Sequence, residues 1–150
     1  MGKAFLEEFV IGETFETHGY TISPEESIEF ARSYDPQPFH LDAGEAARGI
    51  FGELTCSGWH TAAITMRLIV DSGVMRETGI IGTGIDELRW LAPVKPGDSL
   101  RVRGEIVAAV HSRHRLDRGT LRVALKTINQ DGVIVMSQIA NLVVPAKGAD

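Results

Sequence analysis

Apolar and polar residues change rhythm midway along this chain. From Ile85 to Leu91, Ser99 to Val110, Thr120 to Gln130 and Val133 to Val144 they tend to alternate, the period of a half-buried strand. In the second run Leu100, Val102 and Ile106 face one way while Arg101, Arg103 and Glu105 face the other. Pro93, Pro96-Gly97-Asp98, Asp117-Arg118-Gly119 and Asn129-Gln130-Asp131-Gly132 supply turns between them. The first half reads differently. Short strand character appears around Phe9-Val10-Ile11 and Thr14-Phe15. Ser23-Pro24-Glu25-Glu26 then opens a helix, with Ser23 capping, Pro24 at the first helical position and Glu26 completing a capping box. Ile28, Ala31 and Tyr34 fall on one face, and Pro36 and Pro38 end the helix. Asp42-Ala43-Gly44-Glu45 repeats the capping-box pattern before a short helix stopped at Gly49. Ser57-Gly58 leads into Trp59 to Val70, which is apolar nearly all round, the mark of a helix buried inside a domain. One apolar helix followed by long antiparallel strands gives an α+β domain, most simply a sheet wrapped around that helix.

The totals narrow the picture. At 150 residues, one domain over 1–150 is expected, with a core that needs no metal or disulfide staple. Fifteen basic against twenty acidic residues give a net charge of -5, which does not suit a basic groove for nucleic acid. Cys56 is the only cysteine, so no intramolecular disulfide forms. Met1 to Glu8 carries acid where a signal peptide needs its apolar stretch, and no apolar run is long enough to span a bilayer. A cytoplasmic location away from membranes is expected.

Candidate chemistry concentrates in Asp35-Pro36-Gln37-Pro38-Phe39-His40. A carboxylate and an imidazole share one strap stiffened by two prolines. Taken singly, Asp35 reads as a helix-end residue and His40 as a donor to a backbone carbonyl. Together on this strap they point to a reactive water held between them, each within about 2.6–3.2 Å of it. Fully extended, the strap would separate the two α-carbons by about 15 Å at ~3.1 Å per residue. A turn near Gln37 or Pro38 is therefore predicted. Gly58, opening the apolar helix, adds an unpartnered backbone N–H at the positive end of the helix dipole, suited to a carbonyl that gains negative charge. The alternative for Gly58 is tight helix packing.

These residues resemble the MaoC-like acyl dehydratase family, which includes R-specific enoyl-CoA hydratases. The family hallmark, Asp-x-Asn-Pro-x-His followed by another Asp, is matched by Asp35-Pro36-Gln37-Pro38-Phe39-His40-Leu41-Asp42. Ser57-Gly58 stands where the family's central helix opens on glycine, and Pro93-Val94-Lys95-Pro96-Gly97-Asp98 matches its Pro-Val-x-x-Gly-Asp turn. The resemblance runs from about Phe5 to Val144. It implies a hotdog fold, a long antiparallel sheet wrapped around one central helix, and a homodimer. It also implies hydration of an enoyl thioester or dehydration of a 3-hydroxyacyl thioester on coenzyme A or acyl carrier protein. No cofactor is implied beyond coenzyme A as part of the substrate. Carried over, Asp35 and His40 activate the water and the Gly58 amide polarises the thioester carbonyl. Gln37 stands where the family has Asn, and Ser57 where it often has His, so an unusual substrate is expected.

Gln37, Phe39, Ser57, Trp59 and His60 are the neighbouring positions expected to contact substrate, although for His60 a satisfied core histidine is the favoured reading. Cys56 reads as a small buried residue. His111-Ser112-Arg113-His114-Arg115 with Arg118 reads as a solvated hairpin end, with coenzyme A phosphate as its less favoured alternative. No convincing metal-ligand set or nucleotide fingerprint occurs. The two rival functions are a hotdog thioesterase and a non-catalytic acyl-CoA-binding module.

Overall fold

The computed structural model describes residues 2–148; Met1, Ala149 and Asp150, at the ends of the expected 1–150 domain, lie outside the described residues. A 3-10 turn at Leu6–Glu8 leads to two short strands, β1 (Thr14–Glu16) and β2 (Tyr20–Thr21). Four helices follow, α1 (Pro24–Tyr34), α2 (Pro38–Leu41), α3 (Ala43–Ala47) and α4 (Gly58–Ser72). Four long strands complete the chain, β3 (Ile81–Trp90), β4 (Ser99–His111), β5 (Arg118–Ile128) and β6 (Ile134–Pro145). The sheet is antiparallel in the order β1-β4-β5-β6-β3, with β2 also paired to β4.

The alternation read from sequence determines which face of the sheet is buried. Leu100, Val102 and Ile106 of β4, Leu121, Val123 and Leu125 of β5, and Val135, Leu142 and Val144 of β6 join one core with Ile64, Leu68 and Ile69 of α4. A buried hydroxyl pair ties helix to sheet. Thr65 gives its proton to the Thr61 carbonyl at 2.9 Å, so Thr127 of β5 donates to Thr65 across 2.6 Å.

Several expectations need correction. Phe9-Val10-Ile11 forms no strand, because the Gly12 amide reaches the Ile106 carbonyl only after the chain has turned, and Val10 and Ile11 stay exposed. Ser23 makes both bonds of its capping box, whereas Asp42 bonds the Gly44 amide and Glu45 pairs with Arg48 instead. Ala31 is buried on α1, but Tyr34 lies in solvent at the helix end. β3 starts four residues before the expected Ile85, at Ile81, and runs through Gly82 and Gly84. The largest departure is α4. Its side toward the sheet is buried, but Trp59, Met66 and Val70 are exposed, because a single sheet covers only one flank of the helix. β3, at the sheet edge, is exposed at nine of its ten residues.

Candidate active site

The strap turns at Gln37 and Pro38, where the turn was expected. Pro36 and Pro38 cannot continue α1, whose C-cap is Asp35. Pro38 then sits at the first position of α2, and the His40 amide bonds back to the Gln37 carbonyl at 2.9 Å. This one short turn brings His40 Nε2 to 3.3 Å from Asp35 Oδ2. Both side chains are largely withdrawn from solvent, 8% exposed for His40 and 17% for Asp35.

Each member of the pair is held on its other side. His40 Nδ1 donates to the Thr55 carbonyl at 2.8 Å. A carbonyl only accepts, so Nδ1 carries the hydrogen and Nε2 presents its reactive side to Asp35. Asp35 accepts from Ser57 Oγ at 2.7 Å on Oδ2 and from Gln37 Nε2 at 2.6 Å on Oδ1. A bare imidazole nitrogen and a bare carboxylate oxygen both only accept. The pair therefore requires one proton between them, or a water donating to both. Burial pushes the Asp35 carboxyl up, but hydrogen bonds from Ser57 and Gln37, together with the neighbouring His40, outweigh it and hold the group below its ordinary value.

The pair opens onto a cavity of about 370 Å³. Phe39, Phe51, Trp59 and Trp90 supply aromatic surface, the loop from Leu91 to Val94 closes one side, and Gly58 lies in the wall. Of the positions expected to contact substrate, Phe39 and Trp59 line this cavity, while Gln37, Ser57 and His60 do not. Gln37 and Ser57 stand beside Asp35 as hydrogen-bond donors. Ser57 also caps α4, accepting from the Trp59 amide at 3.3 Å. His60 is buried against Phe30, its ring stacked at 4.6 Å. The satisfied-core reading of His60 needs correction, since its Nδ1 has no partner among the described residues and burial favours its neutral form.

Gly58 serves a purpose the sequence left open. A Cβ there would come within 2.7 Å of Trp90 Nε1, and that nitrogen donates to the Gly58 carbonyl at 2.8 Å. The space made by the missing side chain is filled by an indole, while the amide stays free of any intrahelical acceptor. Trp90 in turn meets Trp59 edge to face at 5.0 Å. Trp90, Phe51 and the Thr55 carbonyl were not singled out from the sequence. The scarcity of tryptophan, two residues in the chain, is the one signal that marked Trp90.

Other candidates fall away from the cavity or lose reactivity. Cys56 lies in the wall, but burial pushes its thiol up to about 11, so it stays protonated at neutral pH. The basic tract sits at the opposite end of the sheet. His111 is nine residues along β4 from Val102, and Val102 lies on the row that Thr127, Met136 and Trp90 complete, so the tract is about 30 Å away at ~3.3 Å per residue. Arg115 and Arg118 pair with Asp117, and His111 with Glu7, as a solvated hairpin end would. Among the described residues, no helix is long and apolar enough to cross a membrane, and no group of three His, Cys, Asp or Glu side chains is placed to hold a metal.

Two outcomes follow from this geometry. Gly58→Ala should cost about 1–3 kcal/mol in urea unfolding through the clash with Trp90. The cost should shrink in a Trp90→Ala background, and an equal cost in both backgrounds would show that the indole is not the obstacle. The Asp35 carboxylate contributes stability above its unfolded value of about 3.9, and that contribution is lost as pH falls through the lower folded value. Gln37→Ala should therefore raise the Asp35 titration point and shrink the contribution, as read by NMR of the side-chain carboxyl carbon. An unmoved titration would remove Gln37 from this role.

Comparisons agree with this frame. Residues 8–128 match the family described as MaoC like domain. The MaoC-like dehydratase from Rhodospirillum rubrum is 41% identical in sequence, and its crystal structure matches with a TM-score of 0.91 over 98% of this chain and all of that one. The unliganded R-hydratase PhaJ1 from Pseudomonas aeruginosa is 28% identical, with a TM-score of 0.71 over 96% of this chain and 87% of that one. YdeM, an uncharacterized protein of Bacillus subtilis, is 35% identical over 130 residues, covering 87% of this chain and 91% of YdeM. With its sheet about one central helix and its match across most of its length, this chain belongs to the MaoC-like dehydratase family of hotdog-fold proteins.

Proposed function

We propose that this protein adds water across the C2–C3 bond of an enoyl thioester, or removes it from the 3-hydroxyacyl thioester. The observation that carries the reading is the approach of Asp35 Oδ2 to His40 Nε2, 3.3 Å apart in a largely apolar cavity beside the first turn of α4. Kinship with a MaoC-like dehydratase and an R-hydratase supports the same reaction class.

The assigned roles follow from donor and acceptor logic. A water donating to both Asp35 Oδ2 and His40 Nε2 turns its lone pairs toward the cavity. As its oxygen bonds to C3, the pair takes one proton from it, and a proton from the pair is delivered to C2. The double bond becomes a single bond, and no oxidant or cofactor enters the balance. Negative charge passes through the thioester oxygen on the way, where the Gly58 N–H donates to it. The carrier is coenzyme A or acyl carrier protein, and the single buried thiol suits a reducing compartment such as the cytoplasm.

The test is a panel of trans-2-enoyl-CoA and 3-hydroxyacyl-CoA thioesters, with both stereoisomers of the latter. Asp35→Asn and His40→Ala should each lower turnover about 100-fold or more. Full hydratase turnover in both variants would overturn the site assignment. Release of free thiol from saturated acyl-CoA would favour a thioesterase, and binding without any turnover would favour a binding module.

A homodimer belongs to the same proposal. The unpaired edge of β3 and the exposed flank of α4, with Trp59, Met66, Ile81 and Ile85, form an apolar border that a second copy would cover. Light scattering should give twice the mass of one chain; the mass of one chain at micromolar concentration would refute it.

A further inference from the structure

Beyond Trp59 lies a second cavity of about 140 Å³, between α4 and the inner face of the sheet. Trp59 lines both this space and the catalytic cavity. The walls are mostly apolar, with Ile69 from α4, Leu88 from β3 and Leu142 from β6. Thr65 is polar but already bonded to Thr61 and Thr127. Gln138 is the exception. It occupies the inward row of β6 between Met136 and Ala140, is 8% exposed, and lines the cavity. No hydrogen bond reaches its amide from the described residues. The sealed polar atoms without partners are Thr55 Oγ1 and His60 Nδ1, so the Gln138 amide is not sealed, and the open space it meets is this cavity.

The sheet is irregular at the same place. Asp86 pairs with Ile139 and Arg89 with Ser137, so Glu87 and Leu88 together oppose Gln138 in a β-bulge. Glu87 has a φ of 53°, which no other described non-glycine residue shares in sign. A strained bulge, a buried amide without a partner and a cavity meeting the catalytic one at Trp59 coincide.

We propose that this second cavity receives the far end of the acyl group, running past Trp59 from the Asp35–His40 pair, and that Gln138 selects acyl groups carrying a hydroxyl or carbonyl there over plain alkyl chains. This specificity rests on the thioester reading above. An alkyl tail would strip water from the amide and return nothing, whereas a hydroxyl or carbonyl would pair with it, a difference of about ten-fold or more in affinity.

The experiment titrates the full-length protein with saturated acyl-CoA thioesters, from butanoyl to octanoyl, each with and without a terminal hydroxyl. These cannot be hydrated, so binding is read apart from turnover. The hydroxylated member should bind about ten-fold or more tightly at the length that reaches Gln138. Gln138→Leu, similar in size and apolar, should abolish or invert that preference and leave butanoyl-CoA unaffected. Ala62→Phe, filling the cavity from α4, should weaken the longer members of both series and leave butanoyl-CoA unaffected. No preference in the unmodified protein, or a preference unchanged in Gln138→Leu, overturns the inference. So does a crystal structure in which a side chain of a second copy occupies the cavity and bonds Gln138. Tail selectivity without hydratase turnover would overturn the function proposed above and leave this inference standing. Turnover without selectivity would do the reverse, and failure to bind any thioester would overturn both.

Discussion

The Ser57 hydroxyl gives its single hydrogen to Asp35 Oδ2, and its oxygen accepts from the Trp59 amide at the start of α4. The amide can only donate, so capping the helix leaves the hydroxyl's one proton for the carboxylate. The strap's charge state and the start of the central helix thus share one buried atom. Asp35 closes α1, so the tie also fixes where α1 ends relative to α4. The Asp35–His40 distance is set at this junction, because the strap itself is one short turn with little sheet contact of its own.

Phe39, Phe51 and the two tryptophans make the cavity largely apolar, while Asp35 and His40 stand together in its wall. Low local polarity strengthens the few polar contacts present, so small changes in the hydrogen bonds to Asp35 weigh heavily on its charge. Gly58 joins the two regions. Its carbonyl takes the Trp90 indole N–H, and its amide sits at the positive end of α4. One residue without a side chain therefore anchors the aromatic wall and leaves its amide without an intrahelical acceptor beside the cavity.

Much of this was legible in the chain. The long strands announced themselves through alternation, and the pair through two prolines inside six residues, since local stiffness is a local property. What escaped came from elsewhere in space. Trp90 reaches Gly58 from the end of β3, and Thr55 acts through a carbonyl that every residue type carries. Gln138 looks like any polar residue in an alternating run until the register puts it on the inward row. The apolar character of α4 suggested burial on all sides, but hydrophobic pattern records the surfaces a helix must cover without recording which chain covers them.

The anchor of His40 is a main-chain oxygen, whereas the anchors of Asp35 are two side chains. The two halves of the pair therefore differ in mutational robustness. No side-chain replacement at position 55 deletes the carbonyl that fixes the imidazole tautomer. A single nucleotide change can remove Ser57 or Gln37. A lineage drifting under weak selection would lose control of its carboxylate first and keep its imidazole correctly poised. Decayed descendants of this fold would then be recognised by an ordered histidine facing an acid that has lost its donors.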